Sequence, residues 1–216
     1  FRAQGGIKTL AGYAPPPDVL ASQRRSTYAL GDLQSDYWRD DPARPADPQQ
    51  SRIAQYFVLP QPAEIWMVDF FLGNRCQTGK VEQGIDARIE TAIEKDGRPV
   101  PSGRLAWPGA ESSVPPLDRT GAYVTFLFKD RRAIPAGGYY LVLSKKPEDP
   151  AKHRHYSVDL SGPREGAPEW GFALWEKERS NNRLNGQWTP TQHQAFYKVL
   201  GRAVAEAPPI AEERPS

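Results

Sequence analysis

Residues 120–144 read TGAYVTFLFKDRRAIPAGGYYLVLS, and this stretch decides the fold class. Two short apolar runs, 123–128 and 139–143, flank a charged turn that is followed by a proline and two glycines. Tyr, Val, Thr, Phe and Leu dominate both runs, and they suit a pleated, half-buried surface. Neither run is long enough for a helix. The stretch therefore predicts two strands of one β-sandwich.

Alternation along these strands and along residues 85–93 predicts which side chains are buried. In the first run, Ala122, Val124, Phe126 and Phe128 share one face, and Tyr123, Thr125 and Leu127 share the other. Along residues 85–94, one face is expected to point into the core and the other towards solvent. The inward residues are Ile85, Ala87, Ile89, Thr91 and Ile93, and the outward residues are Asp86, Arg88, Glu90, Ala92 and Glu94. Asp96 and Gly97 then form a turn. We expect near-complete burial of Ile85, Ile89, Val124, Phe126, Leu141 and Leu143.

Further strand-like runs occur at residues 53–59, 65–72, 155–160, 170–175 and 195–200, with 105–107 as a short edge strand and 181–187 as a loop. Strands at this spacing, separated by turn signals, predict an all-β fold, an antiparallel β-sandwich or jelly roll. The sandwich domain is predicted over residues 51–201. An extended, proline-rich N-terminal arm (1–50) and a C-terminal tail (202–216) flank it.

The arm has two interpretations. Its prolines and lack of a sustained period are typical of a disordered leader. Its aromatic residues favour an arm that packs along a neighbouring subunit, since disordered leaders are poor in aromatics. These aromatic residues are Tyr13, Tyr28, Tyr37 and Trp38.

Composition excludes several classes of protein. The net charge is +2, and the short basic spots are dispersed, which argues against nucleic acid as the main partner. No run approaches the roughly 18 apolar residues of a membrane-spanning helix, and no signal peptide is recognised. The single cysteine, Cys76, forms no internal disulfide.

Candidate catalytic and metal-binding residues are few, and the sequence predicts a protein that is not an enzyme and holds no cofactor. His153 and His155 would share a strand face, but no third metal ligand lies at a useful spacing. Glu90 and Glu94 are expected on a solvent face, the ordinary place for carboxylates. The aspartates of the arm offer ligands for a structural calcium, although solvated turns explain them better. They are Asp32, Asp36, Asp40 and Asp41.

Aromatic residues near loops and strand ends are the best candidates for ligand contacts. Sugar rings stack on flat aromatic faces, and neighbouring amides can bind hydroxyl groups. The alternative is that tryptophans, Trp170 and Trp188 above all, fill the sandwich core. The candidate sugar or interface contacts are Trp38, Trp107, Trp175, Asn181, Asn182 and Asn185.

The order of these segments resembles a β-sandwich module that recurs in bacterial surface proteins and in phage tail or fibre proteins. The resemblance covers residues 51–201 and rests on six motifs in order. They are IAQYF (53–57), IWMVDFFL (65–72), ARI followed by GRPVPSGRL (87–89 and 97–105), YVTFLF (123–128), IPAGGYYLVLS (134–144), and GQW with AFYKVLG (186–188 and 195–201).

The resemblance implies a carbohydrate-binding-like jelly roll without a catalytic set. It leads to the expectation of a non-catalytic structural or adsorption protein of a phage-like particle, located in the virion. Its partners would be other subunits of the same assembly, as a homo-oligomer, and cell-surface polysaccharide. The alternative is a carbohydrate-binding module of a secreted or cell-surface bacterial protein.

Overall fold

The structure is a computed structural model that describes residues 17–23, 34–38, 52–74, 84–115, 122–145, 156–161, 172–177, 184–191 and 194–206. The regular elements in these ranges are all β-strands. In chain order they are β1 (Asp18–Gln23), β2 (Gln34–Trp38), β3 (Arg52–Leu59), β4 (Ala63–Asn74), β5 (Ile85–Lys95), β6 (Arg98–Leu105), β7 (Glu111–Val114), β8 (Ala122–Leu127), β9 (Ala133–Ile134), β10 (Gly137–Lys145), β11 (Tyr156–Ser161), β12 (Phe172–Lys177), β13 (Leu184–Thr191), β14 (Gln194–Ala195) and β15 (Tyr197–Ala203).

The strands form two antiparallel sheets that pack face to face, which confirms the predicted all-β sandwich. Sheet 1 has the order β1-β15-β4-β11-β14, with β2 paired to β11 and with β8 and β9 paired to β4. Sheet 2 has the order β13-β12-β3-β10-β5-β6, with β7 paired to β5. Consecutive strands often lie in opposite sheets, so the core is built from residues distant in sequence.

The 120–144 stretch links the two sheets. Strand β8 pairs with β4 in sheet 1, whereas β10 lies between β3 and β5 at the centre of sheet 2. The alternation predicted for β8 is confirmed, because Val124, Phe126 and Phe128 are buried while Leu127 is 59% exposed. The hydroxyl of Tyr139 donates to the carbonyl oxygen of Pro135 at 2.8 Å and fixes the entry to β10.

The main core lies between the sheets. The six side chains expected to be buried, Ile85, Ile89, Val124, Phe126, Leu141 and Leu143, are all buried there. A buried amide also ties the sheets together, since Gln55 Oε1 of β3 accepts a hydrogen bond from the Ala195 amide at 2.7 Å. A hydrogen bond across a core helps to fix the alignment of its layers.

The first 50 residues are not only an arm. Strand β1 pairs with β15 over the register Asp18↔Gly201 to Gln23↔Tyr197, and β2 pairs with β11. Leu20 and Ala21 pack against the main core. The expectation that this region serves only to dock on a neighbour is therefore wrong for these two strands. A register shift between Val19 and Ala21 breaks the two-residue period that would have marked β1 in the sequence.

Two strands differ from what the sequence predicts. Residues 98–105 form β6, which ends at Leu105, where the short edge strand 105–107 was expected to begin, and residues 184–187 of the expected 181–187 loop belong to β13. Both strands contain proline, which lowers their apparent strand propensity. Each lies at an edge of sheet 2, where a missing amide proton costs no ladder hydrogen bond on the open side.

Candidate ligand-binding groove

The outer face of sheet 2 is partly covered. Ala54, Tyr140 and Val142 alternate with core residues along β3 and β10, so they point away from the main core, yet they are buried. They form a second cluster, against which Tyr56, Ala92 and Trp188 pack. The edge strands β6 and β13, at opposite ends of the strand order, come into contact. Sheet 2 therefore curls around this second cluster.

The β5–β6 hairpin is shaped by its turn and by a bulge. Asp96 and Gly97 have φ angles of 54° and 74°, which confirms the predicted turn and is typical of tight hairpins. Glu90 pairs with Leu105 and Ala92 with Pro101, so residues 102–104 bulge opposite Thr91. The Tyr140 hydroxyl donates to the Pro99 carbonyl oxygen at 2.7 Å and ties the hairpin to the sheet.

Polar contacts hold the bulge in place. The hydroxyl oxygens of Thr91 and Ser102 lie 2.7 Å apart, and the Arg104 amide donates to Ser102 Oγ at 3.0 Å. Gly103 has a φ of +78°, a backbone conformation that side-chain-bearing residues rarely adopt. This conformation directs the Gly103 amide to Glu90 Oε2 at 2.8 Å.

A groove of about 640 Å³ lies between the hairpin and β13. This volume falls within the roughly 300–1,000 Å³ of ligand pockets. The hairpin supplies most of the lining, and β3 and β13 supply the rest. The lining residues are Arg52, Glu90, Ile93, Lys95, Asp96, Arg98, Val100, Pro101, Ser102, Gly103, Trp188 and Pro190.

Glu90 is a buried carboxylate beside the groove. Its side chain is 1% exposed, and its Oε1 atom lies 3.6 Å from Arg88 Nη1 but accepts no hydrogen bond within the described part of the chain. Burial raises the pKa of the Glu90 carboxyl, against the opposing effects of the Gly103 amide, Arg88 and Arg52. The expectation of a solvent-facing carboxylate is wrong, because the hairpin and its bulge cover this position.

The aromatic residues beside Glu90 are closely packed. Tyr140 pairs with Glu90 across β10 and β5, and its ring centroid lies 5.1 Å from that of Tyr56. A Cβ at Gly138 would overlap the Tyr56 ring, so a larger residue there would force this ring to move. Burial and the neighbouring Tyr56 raise the pKa of Tyr140, which stays a neutral hydrogen-bond donor. Tyr56 and Tyr140 therefore form a closely packed aromatic pair beside Glu90.

The residues predicted as ligand contacts fall in different places. Trp107 is 2% exposed and its indole N–H donates to the Asp130 carbonyl oxygen at 3.0 Å, so it is a core residue rather than a contact. Trp38 lies on β2, in sheet 1, opposite Tyr156. Trp175 pairs with Trp188 of the groove across β12 and β13, and Asn185 lies on β13. Asn181 and Asn182 lie outside the described residues.

Other predicted sites are only partly covered by the structure. Cys76, His153, His155 and three of the arm aspartates lie outside the described residues, and the fourth, Asp36, pairs with Val158 in sheet 1. Ile93, expected in the core, is 50% exposed and lines the groove, because the hairpin extends past the core.

Within the described ranges, no group of three or more His, Cys, Asp or Glu side chains is placed to hold a metal ion. Those ranges also contain no helix with the length and apolar character to cross a membrane.

The groove offers hydrogen-bonding and charged groups beside an indole and apolar side chains. Sequence reasoning missed Arg52, Lys95 and Arg98 of the groove, although the predicted Asp96-Gly97 turn, which Lys95 and Arg98 flank, was a usable signal. Such a lining suits a ligand with hydroxyl or charged groups on a partly apolar frame. Comparison with protein-family models, curated proteins and solved structures finds no match.

Proposed function

We propose that this chain is a non-catalytic adsorption protein of a phage-like particle, and that its groove on sheet 2 holds a saccharide of a cell surface. The observation that carries the proposal is the groove itself. It joins the Trp188 indole to the Ser102 hydroxyl and to charged side chains within one concave surface. Sugars present C–H faces to aromatic rings and hydroxyl groups to polar side chains, so they match this lining.

The non-catalytic part of the proposal is supported by the role of Glu90. Its carboxylate holds the Gly103 amide at 2.8 Å and lies beside Arg88. The side chain is buried under the hairpin, where it stabilises the bulge that forms one wall of the groove. This position suits a structural carboxylate better than a general acid, which must reach its substrate.

The same groove would serve the alternative, a saccharide-binding module of a secreted or cell-surface bacterial protein. An apolar stripe on the outer face of sheet 1 favours the adsorption protein of a phage-like particle over an isolated saccharide-binding module. Four strands place apolar residues directly opposite one another, and the two outer ones are more than half exposed. The stripe consists of Val19, Leu200, Met67 and Leu127. Exposed contiguous apolar surface is typical of protein–protein contacts.

The saccharide proposal is tested by titrating the full chain with surface polysaccharides and with defined oligosaccharides in a calorimeter. We expect binding that Trp188→Ala weakens roughly tenfold, because the ring supplies stacking area, and that Trp188→Phe largely retains. The Pro108→Ala variant, at an exposed position outside the groove, is the control. Circular dichroism checks that each variant folds. If folded wild-type protein binds no saccharide, the proposal is wrong.

A further inference from the structure

The hairpin wall of the groove carries two cations side by side. Lys95 and Arg98 are directly opposite each other across β5 and β6, next to the Asp96-Gly97 turn, and both are exposed. Neither forms an ion pair within the part of the chain that the structure describes. Like charges directly opposite on neighbouring strands destabilise a hairpin. An anion bound near both would relieve this repulsion.

The remaining charges of the groove leave a local excess of positive charge. Arg52 adds a third cation to the lining, and the carboxylates of the lining are Asp96 and Glu90. Glu90 is buried beneath the surface and next to Arg88, so among the lining residues that the structure describes only Asp96 offers an exposed negative charge. The whole chain has a net charge of only +2 over 216 residues, so this excess is a feature of the groove.

We propose that the groove is specific for an acidic saccharide, whose carboxylate groups pair with Arg98 and Lys95 while a sugar ring lies towards Trp188. The proposal rests on the saccharide-binding function above and names the class of sugar. The planar guanidinium of an arginine can bind a carboxylate with two parallel hydrogen bonds, and a lysine supplies a mobile point charge. Arg98 and Lys95 together match the uronic acid units of an anionic polysaccharide.

The experiment compares the binding of oligogalacturonate with that of a neutral maltooligosaccharide of equal length, using the full chain in a calorimeter. We expect oligogalacturonate to bind at least about tenfold more tightly, with an affinity that falls as salt screens the charges. The Lys95→Gln/Arg98→Gln double variant should lose at least about tenfold in affinity for oligogalacturonate. It should change the affinity for the neutral sugar less than about twofold.

The matched control is Lys129→Gln/Arg132→Gln, which removes the same two charges from exposed positions outside the groove. It should leave both affinities within about twofold of the wild type. Equal binding of neutral and acidic sugars, with no effect of the groove variant, would overturn the inference but leave the saccharide proposal standing. Tighter binding of a single-stranded oligonucleotide than of oligogalacturonate would also overturn it, in favour of a general polyanion site. Absence of binding to either sugar would refute the saccharide proposal itself.

Discussion

At the scale of single residues, Glu90 shows how a short segment of backbone controls a side chain. The bulge at residues 102–104 brings the Gly103 amide to the carboxylate, and Arg88 lies on its other side. These contacts stabilise the charged form, but burial outweighs them and raises the pKa above its ordinary value of 4.5. Glu90 therefore binds a proton more readily in the folded chain than in the unfolded chain.

The raised pKa predicts how stability depends on pH. As pH rises from 4.5 through the raised pKa of Glu90, the unfolded chain binds fewer protons at this carboxyl than the folded chain does. The free energy of unfolding therefore falls over this range. The Glu90→Gln variant lacks this titration and should gain stability relative to the wild type as the pH increases from about 4 to 7. Urea denaturation at several pH values measures the difference. Glu94→Gln, at an exposed position of the same strand, is the matched control.

At the scale of elements, β1 closes one edge of sheet 1. It pairs with β15, and Leu20 packs against the main core, whereas Val19 is 53% exposed. Leu20→Ala should lower the free energy of unfolding by about 1–2 kcal/mol because Leu20 is only partly buried. Val19→Ala should change it by less than about 0.5 kcal/mol. Urea denaturation of the two variants checks the pairing of β1.

Deletion of residues 1–23 should destabilise the sandwich more than Leu20→Ala does, since it also exposes the backbone of β15. A deletion variant with the wild-type melting temperature, or equal effects of the two alanine substitutions, would show that β1 does not belong to this sheet.

At the scale of the whole molecule, the two outer faces of the sandwich have different properties. Sheet 2 curls over a polar groove. On sheet 1, the apolar stripe lies beside a second row of residues that are paired across the strands, and this row includes Lys198 of β15 opposite Asp69 of β4. A row with both signs of charge is compatible with a copy of itself across a two-fold axis, which is the arrangement that the proposed homo-oligomer requires.

We therefore expect the chain to self-associate through sheet 1, as measured by sedimentation velocity over a range of concentrations. Leu127→Asp should weaken association at least about tenfold, since it places a charge in the apolar stripe. Val58→Asp introduces the same charge at a half-exposed apolar position of β3, in sheet 2, and should have little effect. A wild-type chain that stays monomeric at every concentration would contradict the assembly role and favour the isolated binding module.

The sequence by itself determined the fold class, the alternation of β8 and the first half of β5, and the turn at Asp96 and Gly97. These features depend on the two-residue period of a strand and on the backbone freedom of glycine, which are local properties. The tertiary structure alone decided that β1 pairs with β15, that Trp107 is buried, and that a groove forms above Glu90. Strand pairing and the curling of a sheet depend on contacts between residues far apart in the chain. A bulge such as that at Gly103 can cover the outer face of the neighbouring strand without changing the inward–outward alternation of that strand. For this reason the pattern predicted the direction of Glu90, away from the main core, but not its burial.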